Sequence, residues 1–443
     1  MRRVVWLSVC VALGCAIAAQ APAPPDAPHG TVNGVPFGAP SRMPLQPSDF
    51  AYLGYYILQI GFGFESVTYR YVSGDFRLLG LRYSGALVEV SLAGKSFGQA
   101  ITAITNTWTA PGGGVGQSHK GLWWDESQQR LWTVASDDYN ATYQPTQIYT
   151  RTLNSDGTVS NLHGPVSLQN IPAKRVYGGV QPIPAWFQQQ YGVGPYAVGW
   201  GGYTSLLNQS GAASLGLTAY AIPDPASVAN GTTLVAPTFR ALTDHALPTE
   251  WYRAGVNNPS GQPFAGDRGA RATLPVNYYD GGDSRQNPST APIVPPLSTA
   301  YWLSPTPNGD GRWVWGDSYY GTGIWIDTPT KHGFVALGHF GMGKNWYGSS
   351  TLHFDSRAEE LHIYDPTDFG AVLQGTKQPW QVQPRTMTPL ALPGLGAGGT
   401  GNGSAGGIGG AVFDATTGRM YLQTSGPPFL NNTGRIYVFQ VAQ

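Results

Sequence analysis

The chain has 443 residues, of which 25 are basic, 25 are acidic and only 11% are charged, while glycine and proline contribute 60 and 36 residues. A neutral chain without a basic stripe argues against nucleic acid and anionic membranes as partners. The scarcity of charge and the abundance of aromatic residues also argue against disorder, so the composition predicts a turn-rich β protein.

The N-terminus predicts export. Two arginines precede an apolar stretch that is too short to span a bilayer, so residues 1–19 are predicted to be a signal peptide cleaved near Ala18 or Ala19. Residues 20–37 form a leader rich in proline and alanine. We therefore expect a secreted, extracellular or periplasmic protein that does not insert into a membrane.

Both cysteines, Cys10 and Cys15, fall within the predicted signal peptide. The mature chain would then contain no thiol, which excludes a disulfide framework, a thiolate metal site and a cysteine nucleophile. The sequence predicts no metal site and no cofactor. Cys15 ends an Ala-Leu-Gly-Cys sequence that partly matches a bacterial lipoprotein cleavage site, so a lipid anchor through Cys15 is the alternative to simple secretion.

Three segments align without gaps: residues 122–133, 352–363 and 411–422. In each, a strand ends in an aromatic residue and an aspartate, and a polar turn leads into a second strand. The aspartates are Asp125, Asp355 and Asp414. Each segment is predicted to be a hairpin in which the aspartate accepts hydrogen bonds from amides of the turn.

The spacing of these aspartates predicts the number of repeats. Asp355 and Asp414 are 59 residues apart, and Asp125 and Asp355 are 230 apart, close to four times 58. Units of about 58 residues would fill the chain with seven four-stranded blades, and six or eight blades are the alternatives. Residues 435–441 read as a strong strand, which we expect to close the ring against residues 51–58.

In its hairpin repeats and in this closure the chain resembles the secreted β-propeller superfamily. The resemblance covers most of the mature chain but rests on general features of blades, since the WD40 and Kelch signatures are absent. It implies an all-β fold with a single propeller domain over residues 38–443, with long surface loops at about 244–299 and 393–410. Propellers host binding, scaffolding and catalysis, so the fold implies no single activity.

Aromatic and polar side chains are densest between Trp315 and His353. The candidate ligand-binding residues in this segment are Trp315, Asp317, Tyr319, Tyr320, Trp325, His332, His339, Trp346, Tyr347 and His353. Aromatic faces beside carboxylate, amide and imidazole groups suit sugars, which have apolar C–H faces and polar rims. The competing interpretation is that these rings pack between blades.

His119 is a further candidate, because the other two copies of the repeat have no histidine near its position. The sequence favours a monomeric binding or scaffolding protein whose partner is a glycan or another cell-surface component. The alternative is a carbohydrate-active enzyme, either a polysaccharide lyase or a glycoside hydrolase. A lyase needs a His or Tyr base and a cation that neutralises a uronate, and His119, Tyr139 and Arg253 could serve. Convergence of His119, Asp317, His332, His339 and His353 in one cleft would favour the enzyme.

Overall fold

The computed structural model describes residues 31–32, 35–36, 42–59, 66–82, 85–112, 117–137, 145–169, 179–200, 217–243, 319–345, 354–382, 384–390, 392–393, 408–424 and 434–443. The chain divides into two units, Met1–Gly38 and Ala39–Gln443. In the first unit, strands β1 (Thr31–Val32) and β2 (Val35–Pro36) pair antiparallel. The boundaries of the predicted signal peptide and leader remain predictions.

The second unit begins with two strands that join later sheets, β3 (Met43–Pro44) and β4 (Phe50–Leu58). Blade 1 follows with β5 (Ser66–Val72), β6 (Asp75–Leu81), β7 (Ala86–Ser91) and β9 (Ala103–Thr109). The short strand β8 (Ala100–Ile101) lies between the last two in sequence but pairs with β4. The chain therefore pairs with a strand of another blade, through β8, before β9 completes blade 1.

Blade 2 contains β10 (Gln117–Asp125), β11 (Arg130–Asp137), β12 (Thr146–Leu153) and β13 (Val159–Leu168). Blade 3 contains β14 (Val180–Pro182), helix α1 (Ala185–Tyr191), β15 (Tyr196–Gly199), β16 (Ala219–Ile222) and β18 (Arg240–Thr243). Strand β17 (Thr233–Leu234) extends blade 2 by pairing with β13. The helix replaces the tight turn between the first two strands of blade 3.

Blade 4 contains β19 (Tyr319–Asp327), β20 (Lys331–Asn345), β21 (Phe354–Tyr364), helix α2 (Pro366–Leu373) and β22 (Thr386–Pro389), and β3 pairs with β20. Blade 5 contains β23 (Ile408–Asp414), β24 (Arg419–Thr424) and β25 (Gly434–Val441), with β4 as its fourth main strand. Pairing of β4 with β25 runs from Val441 opposite Phe50 to Gly434 opposite Leu58, so the predicted ring closure is confirmed.

The described strands form five blades that are arranged in a closed ring. Around the ring, the first strand of each blade contacts the first strand of the next: β5 with β10, β10 with β14, β14 with β19, β19 with β23 and β23 with β5. The described hydrophobic residues also form a core between each pair of neighbouring blades. The all-β propeller is therefore confirmed, whereas the described strands give five blades and not the predicted seven.

The predicted count of seven is not confirmed, and one reason is that one of the three aligned segments is not a hairpin. Asp355 lies within β21, which continues through the predicted turn and pairs with β20 from Phe354 to Tyr364. In blade 4 the corresponding hairpin joins β19 to β20, and Asp327 ends its first strand opposite His332. The interval of 58 residues was therefore not the length of a blade.

Candidate functional site

The sequence predicts that all three repeat aspartates bond to their own turns, and two of them, Asp125 and Asp414, do so. Asp125 Oδ1 accepts hydrogen bonds from the Gln128 amide at 3.2 Å and the Ser127 hydroxyl at 2.6 Å. Asp414 Oδ1 accepts from the Thr416 amide at 3.0 Å. These bonds satisfy amides that the reversal of the chain removes from the sheet.

Each of these aspartates also bonds to the next blade. The Tyr196 hydroxyl of blade 3 donates to Asp125 Oδ2 at 3.0 Å, and the Tyr71 hydroxyl of blade 1 donates to Asp414 Oδ2 at 2.8 Å. In blade 4 the equivalent Asp327 instead forms an ion pair with Arg42 in the segment that leads to β4. The hairpin end of the ring thus concentrates carboxylates beside tyrosine hydroxyls.

Trp325 lies in the core between blades 3 and 4. Its side chain is 8% exposed and packs against Phe187 of α1, Phe334 of β20 and Phe369 of α2, with ring centroids 5.1, 5.4 and 5.7 Å away. These contacts match the competing interpretation for this residue, that its ring packs between blades. In this core position, little of the indole surface of Trp325 is exposed to a ligand.

His332 lies near Trp325 on the same side of blade 4. It is 5% exposed, and its ring stacks on Trp186 of α1 with centroids 5.7 Å apart. Its Nδ1 atom is buried and has no hydrogen-bond partner among the described residues. Burial lowers the pKa of His332, which outweighs the opposing effect of the nearby carboxylates of Asp365 and Asp327. His332 is thus a neutral, packed imidazole near neutral pH.

The other candidates are placed only in part. Tyr319 lies opposite His339 in the pairing of β19 with β20, and Tyr320 lies opposite Gly338. His119 lies opposite Ala135 in blade 2. Their backbones are described, but not their side chains. The remaining candidates lie outside the described residues: Trp315, Asp317, Trp346, Tyr347 and His353. A ligand site formed by the segment from Trp315 to His353 stays a prediction.

A cavity of about 380 Å³ lies between two connections: the turn that joins the first two strands of blade 2, and the helical segment that joins the first two strands of blade 3. We call it the hairpin pocket. Its aromatic wall consists of Tyr69 from blade 1, Trp123 and Trp124 from blade 2, and Tyr196 from blade 3. This volume falls within the usual range for small-molecule sites, and three blades contribute to it.

Trp123 and Tyr69 are the half-buried rings of this wall. Trp123 packs against both the core between blades 2 and 3 and the core between blades 5 and 1. Tyr69 stacks on Phe76 with centroids 5.3 Å apart. Fixed rings of this kind offer a flat apolar surface at low entropic cost, because little side-chain freedom remains to be lost when a ligand binds.

The polar lining of the hairpin pocket comes from two elements. The turn between β10 and β11 contributes Asp125, Glu126, Ser127 and Gln128, and α1 contributes Gln188. Pro182 and Pro195 complete the wall. Carboxylate, hydroxyl and carboxamide groups therefore lie beside the aromatic rings.

The tyrosines of the pocket stay protonated. The pKa of Tyr196 is raised by burial first and by the charge of Asp125 second, and the pKa of Tyr69 is raised by burial and then by Asp414. Both phenols therefore remain hydrogen-bond donors throughout the physiological range. Neither can carry a negative charge to a ligand.

Sequence reasoning located only part of this pocket. The doublet Trp123-Trp124 and Asp125 belong to the hairpin repeat that the sequence predicts, but nothing in that repeat marks them as a ligand site. Tyr69, Gln188 and Tyr196 reach the pocket from other blades, and the sequence contains no motif that connects them. Only the order of the blades around the ring brings them together.

No family model matches the chain, and no curated protein matches it. Among solved structures, the chain is similar to the crystal structure of Raptor from Chaetomium thermophilum, at 8% sequence identity and a TM-score of 0.32. That match covers 90% of this chain and 30% of the Raptor chain, so the present chain spans less than a third of that protein. None of the described helices is long and apolar enough to cross a membrane. The described residues also contain no cluster of metal-ligating side chains.

Proposed function

We propose that the protein is a secreted or periplasmic propeller that binds carbohydrate in the hairpin pocket. The observation that carries this proposal is the aromatic wall of Tyr69, Trp123 and Tyr196 beside the carboxamide of Gln188 and the turn of Asp125. A sugar ring has apolar C–H faces that stack on aromatic rings and a rim of hydroxyls that needs hydrogen-bond partners. The pocket supplies both kinds of surface within one cavity.

Binding is favoured over catalysis by the state of the pocket's carboxylates. Asp125 already accepts bonds from Ser127, Gln128 and Tyr196, which hold it in a structural role. Glu126 is its immediate neighbour in the chain, so the two do not form the opposed pair that glycoside hydrolysis needs. A carbohydrate-active enzyme remains the alternative, and release of reducing ends from a polysaccharide would support it.

A glycan array probed with the mature protein tests the proposal directly. We expect binding to a restricted set of glycans, followed by a dissociation constant from titration calorimetry on the best of them. Gln188→Ala should weaken that binding about tenfold, the effect of losing about 1.4 kcal/mol. Gln189→Ala is the matched control, because Gln189 is the next residue on α1, is exposed and does not line the pocket.

Two results would contradict the proposal. Failure to bind any glycan would remove the carbohydrate function. Equal binding by the wild type, Gln188→Ala and Gln189→Ala would place the ligand elsewhere, and the segment from Trp315 to His353 would then be the next region to test. Melting temperatures of all three proteins show whether a change in binding reflects a change in folding.

The proposal of export rests on residues 1–19. N-terminal sequencing of protein collected outside the cytoplasm should give a start just after Ala18 or Ala19. A start at Cys15 carrying lipid would support the anchored alternative instead.

A further inference from the structure

We infer that the hairpin pocket selects sugars that carry a free, protonated amine over neutral and acidic sugars. The inference rests on the proposed function and specifies the chemistry of its ligand. None of the described residues that line the pocket is Lys, Arg or His. Two of the lining residues, Asp125 and Glu126, are acidic. An acidic sugar would therefore meet two carboxylates in the lining, whereas Arg130, whose charge acts on Tyr196, lies outside that lining.

The two carboxylates are not equally available. Asp125 is held by its turn and by Tyr196, and it lies opposite Arg130 in the pairing of β10 with β11. Glu126 accepts hydrogen bonds from the Trp124 indole at 2.5 Å and from the Gln129 carboxamide at 3.3 Å. Both donors are neutral, and Glu126 forms no ion pair within the part of the chain that the structure describes, so its charge is available to attract a cation.

The aromatic wall favours the same kind of ligand. The faces of tyrosine and tryptophan rings are negative, and they attract an ammonium group that lies over them. Tyr69 and Trp123 are half-buried, so part of each ring faces the pocket. Asp414 lies close enough to Tyr69 to raise its pKa, which adds further negative charge at this end of the ring.

Three disaccharides with one backbone separate the effects of charge and shape: cellobiose, fully deacetylated chitobiose and cellobiouronic acid. At low salt and a pH that protonates the amine, we expect deacetylated chitobiose to bind about threefold more tightly than cellobiose, the effect of a partly solvated charge pair. Cellobiouronic acid should bind most weakly. The preference should shrink as salt is raised, because Glu126 is exposed and its charge is screened.

Glu126→Gln tests the residue that the inference depends on. Glutamine keeps an oxygen that can accept from the Trp124 indole, so the turn should fold normally. The variant should lose the preference for the amine, so that deacetylated chitobiose and cellobiose bind to it with equal dissociation constants, whatever its affinity for cellobiose. Asp156→Asn is the matched control, since it removes one exposed carboxylate of the same blade that does not line the pocket, and it should keep the preference.

The outcomes separate this inference from the proposed function. Equal binding of cellobiose and deacetylated chitobiose, or tighter binding of cellobiouronic acid, would overturn the amine preference and leave a carbohydrate site. An amine preference that survives in Glu126→Gln would also overturn it. Failure of all three disaccharides and of the glycan array to bind would overturn both.

Discussion

Asp414 stabilises both its own turn and the contact between blades 5 and 1. It is fully buried, and its carboxylate accepts bonds from the Thr416 amide, the Thr417 hydroxyl and the Tyr71 hydroxyl. A buried carboxylate loses its hydration, so each of these donors replaces a water molecule. The polar residue thereby helps to hold two blades together.

Removing the hydroxyl of Tyr71 should therefore destabilise the ring. Tyr71→Phe keeps the packing of the aromatic side chain but deprives Asp414 of one hydrogen-bond donor. We expect a loss of about 1.5 kcal/mol in the free energy of unfolding. Urea denaturation measures it. Tyr52→Phe is the control, because Tyr52 is 39% exposed and should change stability by less than about 0.5 kcal/mol. Equal effects of both variants would disprove the role of this bond.

His332 should make the stability of the protein depend on pH. Its folded-state pKa is lowered, chiefly by burial, so below about pH 6.5 the unfolded chain binds more protons than the folded one. Stability should therefore fall as the pH drops below that value. Besides Asp327 and Asp365, the charged groups around the imidazole include Arg42 and Arg385, which oppose its protonation.

His332→Phe should reduce this pH dependence, because phenylalanine has no titrating group and can still stack on Trp186. Urea midpoints measured from pH 7.5 to pH 5 give the comparison. The wild type should lose more stability than the variant over this range. Parallel curves for the two proteins would show that another group is responsible.

At the scale of elements, the interface of blades 1 and 2 is built around a buried charge. Arg70 of β5 is 2% exposed and forms two hydrogen bonds with Glu89 of β7, at 2.7 and 3.1 Å. Its guanidinium lies 6.0 and 5.8 Å from the ring centroids of Trp108 and Trp124. It also donates to the Asn154 carbonyl of blade 2 at 3.0 Å. The pair thus connects the sheets through both charge and packing.

Removing one member of this ion pair should destabilise the protein more than replacing both members with apolar residues. Among the described residues, Arg70→Met leaves the buried carboxylate of Glu89 with the longer contact to Arg77, at 3.5 Å, and should cost about 3–5 kcal/mol. The double variant Arg70→Met and Glu89→Leu removes both charges and should recover a large part of that loss. Urea unfolding of the two variants tests this. A double variant that is less stable than the single one would contradict the argument.

The elements show which features the sequence could predict. The repeated pattern of a strand that ends in an aromatic residue and an aspartate correctly located the hairpins that contain Asp125 and Asp414. The segment around Asp355 matched the same pattern but lies in a long strand, because pairing with β20 outweighs its turn-forming residues. Local sequence therefore identifies strands better than it counts blades.

At the scale of the whole molecule, the ring is closed by pairing between the two ends of the second unit. Strand β4 is the fourth strand of blade 5 and contributes Tyr56 and Leu58 to the core between blades 5 and 1. A propeller closed in this way has no unpaired edge on β25, since β4 covers it along its full length. The blades therefore depend on one another for stability.

A chain that begins at residue 60 tests this dependence. Without β4, the edge of β25 and the core around Ile436 and Val438 would be exposed, so we expect a lower melting temperature and a broader transition by circular dichroism. A synthetic peptide of residues 42–59 should restore the sharp transition by pairing with β25. The same peptide with serine at Tyr56 and Leu58 should not, because it keeps the backbone hydrogen bonds but loses the buried side chains. Unchanged melting of the shortened chain would mean that the ring holds without β4, because packing between neighbouring blades would then suffice to keep it closed.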